Sequence, residues 1–179
     1  MADDRETAPA RPSPDMLNTL AHADFVRLLG SVWEDSPWVA EQAFEARAFA
    51  DYVALHNAMV RVVVNAGQEA QLALLRAHPD LAGKLARGGG LTAQSAAEQA
   101  GLGLDRLSDA AFEWFDRHND AYRARFGFPF IIAVKAHTRE SIKQALATRL
   151  DNDPAVEMKT ALGEVAKIAK FRLEGLFGT

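Results

Sequence analysis

The 179-residue sequence contains no cysteine. This absence excludes disulfide bonds, a thiolate nucleophile and any metal site that depends on cysteine ligands. The five histidines do not compensate, because no His-x-x-x-His pair and no cluster of acidic residues has the spacing of metal ligands. We therefore predict no metal site.

Long hydrophobic runs and an excess of charge are also lacking. No apolar run approaches the roughly 18 residues that a bilayer span needs. The formal net charge is only −4, and acidic and basic residues are mixed along the chain. The sequence therefore has no run of basic residues that could bind a phosphate backbone. We expect neither a nucleic-acid nor a membrane partner. The polar N-terminus and the absence of a C-terminal peroxisomal signal predict a soluble, cytoplasmic protein.

The sequence is rich, by contrast, in signals that start helices and in apolar residues at helical spacing. Ser13-Pro14 and Asp153-Pro154 each place a capping side chain before a proline at the first helical position. The predicted helices start near residue 14 and then cover 25–33, 36–47, 51–65, 69–77, 92–100, 108–125, 138–150 and 153–176. Within them Val53 and Phe112 are expected to face the core.

The predicted fold is all-α, a single compact bundle of about eight or nine helices that spans residues 14–179. Residues 1–13, rich in alanine, proline and charge, are predicted to be a disordered tail. One segment differs from the rest: Phe128–Val134 reads FPFIIAV, and its proline and its β-branched and aromatic residues predict an extended conformation.

His78 stands out among the histidines because Pro79 follows it. A residue before proline is disfavoured in a helix, so His78 is predicted at a helix end or corner. Two interpretations stay open: a helix-terminal histidine that meets free carbonyls, or an acid–base group that titrates near neutrality. The others, His22, His56, His118 and His137, have no neighbouring motif and are expected at the surface or the core edge.

Three further features allow both a structural and a functional interpretation. Glu98 follows Ser95 with the spacing of a capping box, but it could equally be a carboxylate of a site. Phe128–Val134 could be simple core packing, or could line a pocket where its backbone groups bind a planar heterocycle. Lys135 and Arg172 could meet a carboxylate, although most such cations only solvate a helix surface.

Three segments resemble, in order, the motifs of the 2-oxo-4-hydroxy-4-carboxy-5-ureidoimidazoline (OHCU) decarboxylases, which act third in the route from urate to allantoin. The segments are HPDLAGK at residues 78–84, SAAEQAGL at 95–102 and FGFPFIIAVK at 126–135. The similarity runs from about Leu17 to Phe177. It implies an all-helical carboxy-lyase that needs no cofactor, acts on OHCU as its small-molecule substrate and forms a homodimer.

The resemblance also implies roles for individual residues. His78 matches the catalytic histidine of the family, Glu98 matches its partner carboxylate, and Arg172 matches a C-terminal arginine. The positions that match substrate contacts are Pro79, Ser95, Glu98, Gln99, Phe130, Ile131, Ile132, Ala133 and Val134.

Two other functions remain to be weighed against this one. A Schiff-base decarboxylase would use Lys135, whose place at the edge of an apolar run could favour an unprotonated amine. A non-enzymatic helical interaction module would instead expose an apolar helix face to a partner.

Overall fold

The structure is a computed structural model that describes residues 11–84, 88 and 90–178. These residues contain no β-strand, and nine α-helices lie wholly within them, so the all-α prediction is confirmed. The first ten residues of the predicted tail lie outside this range. The helices are α1 Pro14–Thr19, α2 His22–Leu29, α3 Trp38–Ala43, α4 Tyr52–Asn65, α5 Gln68–Arg76, α6 Ala93–Ala100, α7 Asp109–Phe126, α8 Arg139–Arg149 and α9 Pro154–Phe177.

Helix starts agree with the capping signals of the sequence. The Ser13 side chain accepts from the Met16 N–H at 3.1 Å, and Asp153 Oδ1 accepts from the Ala155 N–H at 2.9 Å. Thr138 forms a reciprocal capping box with Ser141 at the start of α8. These bonds satisfy amide groups that have no partner inside the helix, and this explains why the signals can be read locally.

The predicted boundaries of two helices are wrong. Helix α2 begins at His22 and ends at Leu29, although its apolar spacing continues through Val32 and Trp33. Both of these side chains are buried in the connection after the helix, so burial continues where helical structure does not. Helix α3 starts after Pro37 and ends at Ala43, and a short 3-10 turn, Phe44–Ala46, completes the predicted segment.

Helix α9, 24 residues long, forms the centre of the bundle and packs against α4, α5 and α7. Its buried positions recur every three or four residues from Glu157 to Phe177, as expected for one helix face turned to the core. On α4, Leu55, Ala58, Met59 and Val63 are buried, whereas Val53 is 46% exposed and was wrongly predicted to face the core. Phe112 of α7 is only half-buried.

The predicted extended segment is not helical over residues 128–133, but its last residue, Val134, begins a 3-10 turn. A buried ion pair holds it in place. Arg149 Nη1 donates to the Ile131 carbonyl at 2.8 Å, while Arg149 Nε donates to Glu157 Oε1 at 2.8 Å. Tyr122 donates its hydroxyl to the same Glu157 oxygen. None of the described helices combines the length and the hydropathy needed to cross a bilayer.

We expect Arg149→Met to lower the free energy of unfolding by about 3–5 kcal/mol, because Glu157, with 0% exposure, would keep a buried charge without its partner. Urea denaturation followed by circular dichroism measures this. The double variant Arg149→Met/Glu157→Met removes both charges at similar volume and should regain most of the loss. A single variant as stable as the wild type would contradict the prediction.

Candidate active site

A cleft of about 500 Å³, its open mouth included, lies between the end of α5, helix α6, the extended segment and α9. Its walls are formed by His78, Pro79, Leu81, Ser95, Glu98, Gln99, residues 130–135, Ile168 and Phe171. The fold thus gathers into one cleft every residue that the resemblance matched to a substrate contact. Arg172 is not on its lining.

His78 lies just beyond α5, at the helix end predicted from Pro79. Its Nδ1 is 3.0 Å from the Leu74 carbonyl oxygen, which can only accept, so we assign the ring proton to Nδ1. Nε2 then carries the lone pair, and it is buried with no hydrogen-bond partner among the described residues. The helix-terminal interpretation therefore holds, and its hydrogen bond leaves the second ring nitrogen unused.

Burial lowers the pKa of His78 below its ordinary value of 6.5. The backbone hydrogen bond to Leu74 and the negative charges of Glu34 and Glu98 oppose this shift, and the positive charge of Arg172 adds to it. Since burial prevails, the imidazole is neutral at pH 7. Its Nε2 is consequently a hydrogen-bond acceptor and a base.

Glu98 is not a helix cap. Helix α6 begins one turn earlier than a Ser95 cap would require, and the Thr92 hydroxyl accepts from the Ser95 N–H at 3.3 Å. Glu98 instead accepts from Arg172 Nε at 2.8 Å and from Arg172 Nη2 at 3.0 Å. This bidentate ion pair holds the Glu98 carboxylate at the cleft wall, and Arg172 lies behind that carboxylate.

Glu34, in the connection between α2 and α3, is a member of this cluster that the sequence analysis missed. Its Oε2 accepts from Arg172 Nη2 at 2.7 Å, so one guanidinium is shared by two carboxylates. Burial alone would raise the pKa of Glu34, but hydrogen bonds from Thr92, Arg172 and Ser95 and the charge of Arg172 hold it below its usual range. No local signal distinguishes it in the sequence, because a second acid, Asp35, stands beside it.

The extended segment is fixed from behind by two further residues that the sequence analysis missed. Arg149 binds the Ile131 carbonyl, and Glu164 Oε2 accepts from the Ala133 N–H at 2.8 Å. Arg149 in the last turn of α8 and Glu164 in the middle of α9 look like ordinary surface charges in the sequence. No local pattern distinguishes them.

Other predicted candidates lie at the margin of the cleft or outside it. Lys135 is exposed at the rim, with Nζ 5.7 Å from the Phe171 ring centroid. A Schiff-base lysine needs an unprotonated amine, which a buried position favours and an exposed one does not. The exposed large apolar side chains are spread over α1, α4 and α9, and no acidic or histidine cluster among the described residues could hold a metal ion.

An apolar cleft with a neutral imidazole on its wall, within an all-helical domain, is the site of a small-molecule enzyme. A family model described as OHCU decarboxylase matches residues 18–174. The chain therefore belongs to the OHCU decarboxylase family of carboxy-lyases, as its motifs predicted.

Individual relatives agree with this assignment. The OHCU decarboxylase of Haloferax volcanii is 44% identical over 163 residues, which are 91% of this chain and 95% of the relative. That of Halalkalicoccus jeotgali is 45% identical over 160 residues, 89% of each chain. A solved (S)-allantoin synthase superposes with a TM-score of 0.73 at 32% identity, over 91% of this chain and 53% of its own. An OHCU decarboxylase solved in the presence of (S)-allantoin shares the fold. It superposes with a TM-score of 0.64 at 22% identity, over 87% of this chain and 98% of its own.

The lowered pKa of His78 predicts a loss of stability in mild acid. Between that pKa and about 6.5 the unfolded chain binds a proton that the folded protein excludes, so the free energy of unfolding falls as the pH drops below about 6.5. His78→Asn cannot titrate and should lose less stability between about pH 7.5 and about pH 5.5, measured by urea denaturation. Equal slopes in the wild type and His78→Asn would show the prediction to be wrong.

Proposed function

We propose that the protein decarboxylates OHCU to (S)-allantoin in the degradation of urate. The family of the chain and the names of its relatives support OHCU as the substrate. The observation that carries the chemistry is the lone pair of His78 Nε2, which is buried and unpartnered among the described residues, on the wall of the cleft.

The substrate supplies its own electron sink. Its carboxylate and a hydroxyl share one ring carbon, and the neighbouring ring carbon carries the ureido group and a C=N bond. When the bond to CO2 breaks, its electron pair forms a C=C bond between the two carbons, and the C=N electrons move to nitrogen, which takes a proton from solvent. The remaining enol becomes allantoin by moving its hydroxyl proton to the ureido-bearing carbon. We propose that no cofactor takes part, because neither a metal nor a Schiff base is needed for these steps.

His78 is assigned the proton transfer. Its Nε2 accepts the proton of the substrate hydroxyl, and the imidazolium returns a proton to the ureido-bearing carbon from one face only. A proton delivered from one face makes a single enantiomer, here the S form. A positioned acid–base group of this kind typically accelerates a reaction about 10²–10⁴-fold.

Ile132 is assigned the recognition of the ring through its backbone. The Ile131 carbonyl and the Ala133 N–H are bound by Arg149 and Glu164, and neither of these side chains lines the cleft. In an extended chain the groups of the residue between them point the opposite way. The N–H and C=O of Ile132 are thus directed at the cleft, where they pair with a ring carbonyl and a ring N–H.

Glu98 is assigned to the N–H groups of the ureido chain, since an ionised carboxylate only accepts hydrogen bonds. The resemblance matched Arg172 to a C-terminal arginine of the family. Because two carboxylates occupy its guanidinium, we assign it an indirect role, in which it fixes Glu98. Pro79, Gln99 and Phe130 complete the walls that surround the ring.

We further propose a cytoplasmic homodimer in which residues 14–179 form the catalytic domain. Sedimentation equilibrium should then give twice the chain mass of 19.5 kDa, and a single-chain mass would exclude the dimer.

The decisive assay supplies OHCU freshly made from urate by urate oxidase and hydroxyisourate hydrolase. Since OHCU decays spontaneously to racemic allantoin, the wild type should both speed its disappearance and produce a circular dichroism signal. His78→Asn should lower kcat at least about 100-fold with the far-ultraviolet spectrum unchanged. Near-normal turnover in this variant would remove His78 from the mechanism, and a racemic product from the wild type would refute the function.

The same mixture distinguishes the Schiff-base alternative. Borohydride added during turnover should leave Lys135 unmodified by mass spectrometry, because the proposed mechanism forms no covalent intermediate.

A further inference from the structure

Glu34 makes three side-chain hydrogen bonds within the cluster behind the cleft, and none of the roles above uses it. Its side chain is 2% exposed. Oε1 accepts from the Thr92 hydroxyl at 2.6 Å, and Oε2 accepts from the Ser95 hydroxyl at 2.9 Å and from Arg172 Nη2 at 2.7 Å. A buried carboxylate with three donors is firmly fixed in place.

The bond to Ser95 determines what that hydroxyl can do in the cleft. A serine hydroxyl has one proton, and Ser95 donates it to Glu34. Ser95 Oγ, which also receives Arg172 Nη2 at 3.3 Å, therefore offers only lone pairs to a molecule in the cleft. It selects an N–H donor of the substrate and disfavours a carbonyl or carboxylate oxygen at that position.

The bond to Arg172 determines how Glu98 is presented. Arg172 Nη2 is shared between Glu34 and Glu98, and these three ionised side chains are largely buried, with exposures of 7%, 2% and 16% for Arg172, Glu34 and Glu98. Together they carry one net negative charge. Loss of the Glu34 charge would leave Arg172 free to turn, and Glu98 would follow it.

We propose that Glu34 is a positioning residue of the decarboxylation site, which fixes Ser95 as a hydrogen-bond acceptor for a substrate N–H and holds Arg172 so that Glu98 faces the cleft. This inference rests on the proposed function for its substrate. A purely structural alternative exists, because Thr92 caps α6 and Glu34 could serve only to orient that cap.

Glu34→Gln tests the proposal at nearly constant shape. The amide can donate to Ser95, which reverses the polarity of that bond, and it removes one of the two charges that hold Arg172. We expect kcat/KM to fall about 10- to 100-fold, the range for a lost hydrogen bond to a charged group. In a Ser95→Ala background the same change should cost less, because part of its effect acts through Ser95.

Thr92→Val is the matched control. Among the contacts of Glu34, this variant removes only the hydrogen bond from the Thr92 hydroxyl. The melting temperature should fall, while kcat/KM stays close to the wild-type value. If Thr92→Val reproduces the full loss of Glu34→Gln, the role of Glu34 is structural and the proposal is overturned.

The titration of His78 gives a readout that needs no substrate. The charged groups that act on His78 are Glu34 from the α2–α3 connection, Glu98 from α6 and Arg172 from α9, and Lys135 lies at the cleft rim. Because the negative charge of Glu34 favours the imidazolium, Glu34→Gln should lower the pKa of His78, measured by NMR with His78→Asn as the assignment control. Glu34→Asp keeps the charge, so it should leave this pKa near the wild-type value and still lower kcat/KM.

The outcomes separate the two proposals. A wild type that gives no optically active allantoin refutes the proposed function, while the His78 titration still tests whether Glu34 belongs to this cluster. An active wild type together with unchanged kcat/KM and unchanged His78 titration in Glu34→Gln overturns the inference. If Glu34→Gln does not fold, a Glu34→Asp variant with wild-type kcat/KM overturns it as well.

Discussion

Charge buried inside a helical bundle has to be paired, and this requirement organises the walls of the cleft. Two clusters, each centred on an arginine, illustrate it. Arg172 is held by Glu34 and Glu98 behind helix α6, and Arg149 is held by Glu157 behind the extended segment. Each arginine also fixes a part of the cleft wall: the Glu98 carboxylate in one case and the Ile131 carbonyl in the other.

One helix connects the two clusters. Glu157, Glu164 and Arg172 all belong to α9, seven and eight residues apart. A helix of 24 residues is about 36 Å long, and its interior does not bend easily, so these side chains keep a constant separation. Ile168 and Phe171 of the same helix line the cleft itself. Helix α9 therefore packs at the centre of the core and also carries the side chains that position the two walls of the site.

The polarity of the cleft follows from these fixed contacts. His78 donates its Nδ1 proton to the Leu74 carbonyl, Ser95 donates its hydroxyl proton to Glu34, and Glu98 is ionised. All three therefore present only hydrogen-bond acceptors to the cleft. A ligand on this side must bring O–H and N–H groups. The hydroxyl and ureido groups of OHCU meet that description.

Features that depend on local interactions can be read from the sequence. The starts of α1, α8 and α9, the place of His78 at a helix end and the non-helical backbone of residues 128–133 all follow from capping side chains or proline within a few residues. The motifs at 78–84, 95–102 and 126–135 identified the family. Tertiary packing, by contrast, sets the end of α2, the exposure of Val53, and the contacts of Glu34, Arg149 and Glu164. Glu34 meets Arg172 across 138 positions of the chain, and Glu164 meets Ala133 across 31. Such pairs leave no local pattern, because the packing of distant helices, and not the neighbouring residues, selects their partners.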